Sequence, residues 1–108
     1  MARTVKNLYA SNSLAITKTE VISAVTGTTR QIRKATFTNN TGATVTVDLY
    51  IDPTGTDEIQ LVDTKPLIDK ETWSVPAIEG HVLGASGTVD VTASATGVDL
   101  VISGVEIT

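Results

Sequence analysis

The chain has 108 residues, which fits one domain, and it carries a formal net charge of −4 at pH 7. It has no cysteine, which excludes disulfide bonds, thiolate metal sites and cysteine nucleophiles. No apolar run approaches the roughly 20 residues of a membrane-spanning helix. No apolar segment of the signal-peptide kind follows the basic residues near the start, so we expect neither a membrane span nor a signal peptide.

The composition predicts strands. The chain contains 19 Thr and 13 Val, β-branched residues that are restricted in helices and suit a pleated, half-buried surface. The aromatic residues are few, namely Tyr9, Phe37, Tyr50 and Trp73. They are too sparse for a platform that stacks single-stranded nucleic acid, and the basic residues form no cluster that would indicate a nucleic-acid partner. We therefore expect an aliphatic core, with Trp73 as a core anchor or, alternatively, an interface anchor.

The first segment, residues 1–13, is polar and lacks periodicity. It fits either an extended N-terminal arm or a short leading strand. We assign residues 1–13 to an arm and residues 14–108 to the β domain. Residues 14–25 are a weak strand candidate that ends at a turn around Gly27.

The clearest pattern lies between residues 30 and 51. Residues 30–39 predict a strand, and residues 39–42 (Asn-Asn-Thr-Gly) are a strong turn signal because Asn and Gly tolerate positive φ. Residues 43–51 alternate, and those predicted to face inward are Ala43, Val45, Val47, Leu49 and Ile51. The two strands are predicted to pair as a hairpin. The N-glycosylation pattern at Asn39 is interpreted as turn chemistry only.

Further strands follow at short spacing. The predicted segments are a turn at 52–55, a strand at 58–62, a loop carrying Pro66 at 63–69, strands at 71–75 and 80–83, a turn at 84–87, and strands at 88–94 and 98–107. In the last strand Val98, Leu100 and Ile102 share one face, and Val101, Val105 and Ile107 share the other. This indicates a central strand or a face covered by another subunit, with Gly104 marking a bulge. The spacing predicts an all-β, single-domain antiparallel β-sandwich or barrel.

Catalytic and metal-binding constellations are weak. His81 is the only histidine, no G-x-S-x-G nucleophile elbow occurs, and we expect a structural or surface role for His81. One histidine without cysteine does not make a usual zinc site. Asp52, Asp57 and Glu58 offer oxygen ligands for calcium, but their spacing does not match an EF-hand loop, and solvated loop acids are the default. We expect no enzymatic activity, no cofactor and no metal.

Charge is distributed unevenly along the chain. Residues 1–34 carry six basic groups and one acidic group, whereas residues 35–108 carry two basic groups and eleven acidic groups. One interpretation is ordinary solvated charge. The other is a basic N-terminal segment that docks on an acidic surface of a neighbouring copy or of another protein.

Several segments resemble a group of small tailed-bacteriophage and prophage proteins. They are Ile32–Gly42 with the alternating strand that follows it, Glu71-Thr72-Trp73, Gly80-His81-Val82-Leu83 and the ending Ile102–Thr108. The resemblance covers roughly residues 30–108 and includes no catalytic motif. It implies a virion structural protein, with a capsid decoration or cement protein of jelly-roll type as the leading case.

The resemblance implies the major capsid protein or other virion proteins as partners and a place on the capsid surface, after assembly in the host cytoplasm. Candidate protein–protein contacts are Arg3, Lys6, Leu8, Tyr9, Trp73, Val105 and Ile107. We expect a homo-oligomer, a dimer or a trimer, and no nucleic-acid or membrane partner. The alternatives are a head–tail joining, tail or fibre-attached component, a carbohydrate-binding β-sandwich that uses Trp73 or Tyr50, and an enzyme dependent on His81.

Overall fold

The structure is a computed structural model that describes residues 3–11, 14, 16–23 and 26–108. Parts of the predicted arm and of the weak strand candidate at 14–25 lie outside the described residues. The strands are β1 (Arg3–Ser11), β2 (Thr19–Ile22), β3 (Thr29–Asn39), β4 (Val45–Asp52), β5 (Ile59–Leu67), β6 (Thr72–Ser74), β7 (Val82–Leu83), β8 (Thr88–Ala93) and β9 (Val98–Ile107). A short 3₁₀ helix, Pro76–Ile78, begins at a proline, which suits the first position of a helix. No helix among the described residues has the length and apolar character to cross a membrane.

The strands form two antiparallel sheets. The front sheet has the order β1-β9-β3-β6, and β7 also pairs with β3; the back sheet has the order β2-β8-β4-β5. Strands β6 and β7 pair with different parts of β3, so together they fill one position. The pairs are nested: β1 with β9, β2 with β8, β3 with β6 and β7, and β4 with β5. This is the winding of a jelly roll, so the predicted all-β, jelly-roll-like sandwich is confirmed.

The core lies between the two sheets and is aliphatic, as predicted. Strand β4 alternates between buried and half-buried residues along its whole length, and β8 does the same. The fully buried large side chains include Phe37, Ile32, Leu49 and Ile102. Ala43 is an exception to the prediction, since it is exposed. It lies in the connection before β4 and not in the strand.

The predicted hairpin of residues 30–39 with residues 43–51 is wrong. Strand β3 lies in the front sheet and β4 in the back sheet, and no pairing joins them. Each of the two strands buries one face, and the core between the sheets is covered only when those faces oppose one another. The turn at residues 39–42 therefore carries the chain from one sheet to the other.

The segment predicted as an arm is, where it is described, the edge strand of the front sheet. Strand β1 pairs with β9 from Arg3 opposite Ile107 to Ser11 opposite Leu100. This corrects the arm interpretation in favour of the leading strand. The half-buried side chains of Leu8 and Tyr9 pack against the core, which gives the segment a reason to stay on the sheet.

Strand β5 continues through residues 63–67, which were predicted as a loop. An irregularity in the β4–β5 pairing absorbs the extra residues around Thr64, whose φ is 51°. The carboxylate of Asp48 accepts a hydrogen bond from the N–H of Thr64 at 2.7 Å and so satisfies the backbone there. Pro66 is tolerated because β5 is the outermost strand of the back sheet.

Strand β9 lies between β1 and β3, which confirms the central strand predicted from its two apolar faces. The bulges lie on the two neighbouring strands. Leu8 of β1 is the extra residue between the partners of Ser103 and Ile102, and Arg33 of β3 is the extra residue between the partners of Gly104 and Ser103. Gly104 allows this close approach. A Cβ at Gly104 would lie 2.1 Å from the carbonyl oxygen of Gln31.

Candidate interaction surfaces

The residues considered for catalysis do not converge within the described part of the chain. The backbone of His81 accepts a hydrogen bond from the N–H of Ile32 at 2.8 Å, and no serine or aspartate is hydrogen-bonded to its imidazole there. No group of three or more metal-ligating side chains occurs among the described residues. Asp52 accepts backbone N–H bonds from Thr54, Gly55 and Asp57, which is turn chemistry.

Six of the seven predicted contact residues lie together. Arg3, Lys6, Leu8 and Tyr9 are on β1, and Val105 and Ile107 are on the neighbouring strand β9. Their side chains divide between the two faces of the front sheet, because alternate residues of a strand point to opposite sides. Trp73 lies apart from them, on β6.

Lys6 belongs to an ion cluster on the inward side of the front sheet. Glu106 is paired in register with Arg30, and its carboxylate lies 3.2 Å from Nε of Arg30 and 3.5 Å from Nζ of Lys6. Arg30 also donates to the backbone carbonyl of Ser23. The hydrogen bond from Arg30, aided by the charge of Lys6, holds the pKa of Glu106 below its usual value.

Lys18 is likewise paired inside the molecule. It forms an ion pair with Glu58, lies 3.9 Å from Asp90, and sits 4.3 Å from the ring centroid of Tyr50. Desolvation, with a contribution from the nearby charge of Glu58, raises the pKa of Asp90, and Lys18 opposes this shift. Half of the basic groups of residues 1–34 thus form ion pairs with acids of residues 35–108. The uneven charge along the sequence is therefore partly neutralised within the folded chain.

Trp73 stands at the rim of the core. Its ring is stacked with Phe37, with centroids 6.5 Å apart and planes at 15°, and Nζ of Lys65 lies 5.0 Å from its centroid. It also lines an open cleft of about 340 Å³ between β5 and the segment from β6 to the 3₁₀ helix. Trp73 therefore packs against the core from its rim, between Phe37 and Lys65, and its use as an interface anchor stays a prediction.

The outward-pointing side chains of the front sheet form what we call the front face. Residues paired across neighbouring strands point to the same side of a sheet. By this register the apolar members of the front face are Val5, Ala10, Val82, Val101, Val105 and Ile107. Val5 is 81% exposed, Val82 47% and Val101 44%. Val105 is 2% exposed but lies outside the main core cluster, as expected for a residue on the outward side.

The front face also carries basic groups. Arg33 and Lys34 are both exposed and both lie at the bulge opposite Ser103, while Arg3 pairs with Ile107. Arg3 is among the contact residues predicted from the sequence, whereas Arg33 and Lys34 are not. A strict alternation would place consecutive residues on opposite faces, and only the bulge leaves both of them at the same position of the sheet.

The outward side of the back sheet, the back face, has a different character. Its carboxylates are Glu20, Asp48, Asp52 and Asp90, from three adjacent strands. Its large aromatic side chain, Tyr50, lies under Lys18. The same register places one carboxylate, Asp99 opposite Thr38, on the front face, against the three basic groups Arg3, Arg33 and Lys34. The back face is therefore acidic, and the front face is apolar and on balance basic.

The sequence matches no protein-family model, and no curated protein matches it. Solved structures that share the fold include the following two. A chain from a structure of infectious bursal disease virus, Gx strain, superposes with a TM-score of 0.60 at 12% identity, over 96% of this chain and 32% of that one. A chain from the crystal structure of the T13 infectious bursal disease virus particle superposes with a TM-score of 0.54 at 9% identity, over 96% of this chain and 34% of that one. This chain spans about a third of the length of each, and at these identities the likeness shows the jelly-roll fold alone.

Proposed function

We propose that the protein is a non-enzymatic virion structural protein that binds an assembled phage capsid from outside and stabilises it, as a decoration or cement protein. The observation that carries the proposal is the jelly-roll winding, which matches chains from viral particles over 96% of this chain. The resemblance of residues 30–108 to small tailed-phage proteins supports a bacterial virus. Its proposed location is the capsid surface, reached after assembly in the host cytoplasm.

The physical features of the chain suit attachment to a shell. The core is aliphatic and nearly all of its members are fully buried, so the body is a rigid block. The exposed edge of the back sheet carries Pro66 and the irregularity at Thr64, and the edge strand β1 carries a bulge at Leu8. These irregularities discourage the edge strands of one copy from pairing with those of another. A block of this kind binds through its faces, and many weak contacts repeated over a shell add to stable attachment.

The test is cosedimentation of the purified chain with empty shells of the virus that encodes it. We expect saturable binding at a fixed number of copies per shell, and shells that survive heating better when they are saturated. The chain spun without shells, and with shells of an unrelated virus, provides the control. Absence of binding to both compact and expanded shells would contradict the decoration role.

The same fold would also serve a head–tail joining, tail or fibre-attached component. Immunogold labelling of intact virions separates these locations. Label spread over the capsid supports the decoration role, and label confined to the tail or to the junction would replace it.

A further inference from the structure

We infer that the front face is the surface through which the protein docks on the shell, and that it takes a partner surface with acidic side chains around an apolar centre. This inference rests on the proposed function. It goes further by assigning one face of the sandwich, the residues that make the contact and the chemistry of the partner.

The first observation is a row of apolar side chains across the front sheet. In register, Val5 of β1 lies beside Val105 of β9, which lies beside Gln31 of β3, which pairs with Val82 of β7. Val101 lies on the same outward side of β9, four residues before Val105. Val105 itself is buried, so the exposed apolar side chains of the front face are Val5, Val82 and Val101. Single exposed apolar residues are ordinary on a protein surface, but three exposed valines on one face of a sheet indicate a contact surface.

The second observation is the charge around this row. Among the described residues, Arg3, Arg33 and Lys34 have no carboxylate within ion-pair distance, unlike Lys6, Lys18 and Arg30. A basic group left without an intramolecular partner beside an apolar row is available to an acid of another protein.

The third observation is the contrast with the back face. A protein of net charge −4 is repelled as a whole by an acidic surface. It can approach such a surface only with its basic side forward, and the back face, with Glu20, Asp48, Asp52 and Asp90, then points away. The charge difference between the faces therefore selects one orientation on an acidic partner.

A second copy of the chain fits the front face less well. Two front faces would bring Arg33 and Lys34 of each copy close to those of the other, which is unfavourable. The back face of a copy supplies carboxylates, but its aromatic side chain Tyr50 is covered by Lys18. Among the described residues, Ile16 beside Thr92 is the exposed aliphatic side chain at that face, set against three exposed valines on the front face. We therefore assign the front face to the shell protein, whose contact surface is then expected to carry acids around an apolar centre.

The experiment compares matched surface variants in the shell cosedimentation assay. Lys34→Glu reverses a charge on the front face, Val101→Thr removes an exposed methyl group there while keeping a β-branched residue, and Glu20→Lys reverses a charge on the back face. All three positions are half-exposed or exposed, so the variants should fold, and the fluorescence of Trp73 checks this. We expect Lys34→Glu to weaken binding about tenfold, Val101→Thr several-fold, and Glu20→Lys less than about twofold. Raising the salt from about 0.05 to 0.5 M should weaken the wild type more than Lys34→Glu.

The outcomes separate the inference from the proposed function. Wild-type protein that fails to bind shells overturns both. Wild-type protein that binds while Lys34→Glu and Val101→Thr bind equally well, or while Glu20→Lys alone loses binding, overturns only the choice of face. Sedimentation velocity of the free chain tests whether a second copy of the chain occupies the front face. Self-association that is abolished both by salt and by Lys34→Glu would assign the front face to that second copy and overturn the shell as its partner.

Discussion

The side-chain amide of Asn39 donates a hydrogen bond to the backbone carbonyl of Leu67 over 2.9 Å, joining residues that are 28 positions apart in the chain. The same nitrogen lies 2.7 Å from the carbonyl oxygen of Ala43, and the amide oxygen accepts hydrogen bonds from the N–H and the hydroxyl of Thr41. Asn39 is fully buried. It ties the crossover from β3 to β4, on one side, to the end of β5 on the other.

We therefore expect Asn39→Ala to destabilise the protein strongly. Removing the amide takes away the side-chain hydrogen bond to the buried carbonyl of Leu67 and the bonds that hold Thr41, at a cost on the order of 3 kcal/mol. Urea unfolding followed by Trp73 fluorescence measures the change. The matched control is Asn40→Ala, which loses only an exposed 2.5 Å bond to Asp99 and should cost less than about 1 kcal/mol. Equal effects of the two substitutions would contradict the role given to Asn39.

The burial of Asn39 also predicts that no glycan is attached to it, even in a host that glycosylates.

Gly104 is expected to tolerate no side chain. The added methyl group of Gly104→Ala would overlap the carbonyl oxygen of Gln31 and push β3 and β9 apart, at a cost above about 2 kcal/mol. Gly84→Ala is the control, because its Cβ would meet only the carbonyl oxygen of Pro53 at 3.6 Å. Thermal unfolding of the two variants should show a large loss for Gly104→Ala and a change within about 0.5 kcal/mol for Gly84→Ala. A Gly104→Ala protein as stable as the wild type would show that the strands can separate without loss.

Two carboxylates should give opposite pH dependence. The pKa of Glu106 is lowered, so its ionised form stabilises the fold above its ordinary value of 4.5, and this stabilisation is lost as the pH falls through the folded-state value. Glu106→Gln should therefore be less stable than the wild type at pH 7, and the difference should fade in acid.

The pKa of Asp90 is raised above its ordinary value of 3.8, so its charge opposes folding at neutral pH. Asp90→Asn should be more stable than the wild type at pH 7, and this difference should also fade below the ordinary value. Unfolding curves at pH 7 and at about pH 3 test both variants together. Differences of the same sign for Glu106→Gln and Asp90→Asn at pH 7 would contradict the assignment.

Deletion of residues 1–11 should destabilise the whole domain. The deletion strips the edge strand from β9 and removes the packing of Leu8 and Tyr9 against the core. For a segment that serves only as an arm, thermal unfolding would be unchanged. Point variants of the front face, rather than this deletion, are thus the proper test of docking, because a truncated chain would lose binding through loss of structure. Hydrogen exchange gives an independent reading: β1 amides bonded to β9 should be protected in the intact chain.

The local features of the fold could be predicted from the sequence because they depend on neighbouring residues. The alternation in β4, β8 and β9 identified the buried face of each strand, since successive side chains point to opposite sides of a sheet. Asn, Gly and Pro marked the turns because their backbone conformations suit them. Together with the resemblance of residues 30–108, these signals were enough to predict a jelly-roll-like sandwich.

Only the tertiary structure decided which strands pair and what each face presents. A turn such as residues 39–42 is compatible with a hairpin and with a crossover between sheets, and contacts far along the chain, such as Asn39 with Leu67, decide between them. The bulge at Arg33 depends on the register with β9 and left no local signal, yet it sets Arg33 beside Lys34 on the front face. Side-chain alternation is a property of one strand, whereas pairing, register and the charge of a face depend on the packing of the whole sandwich.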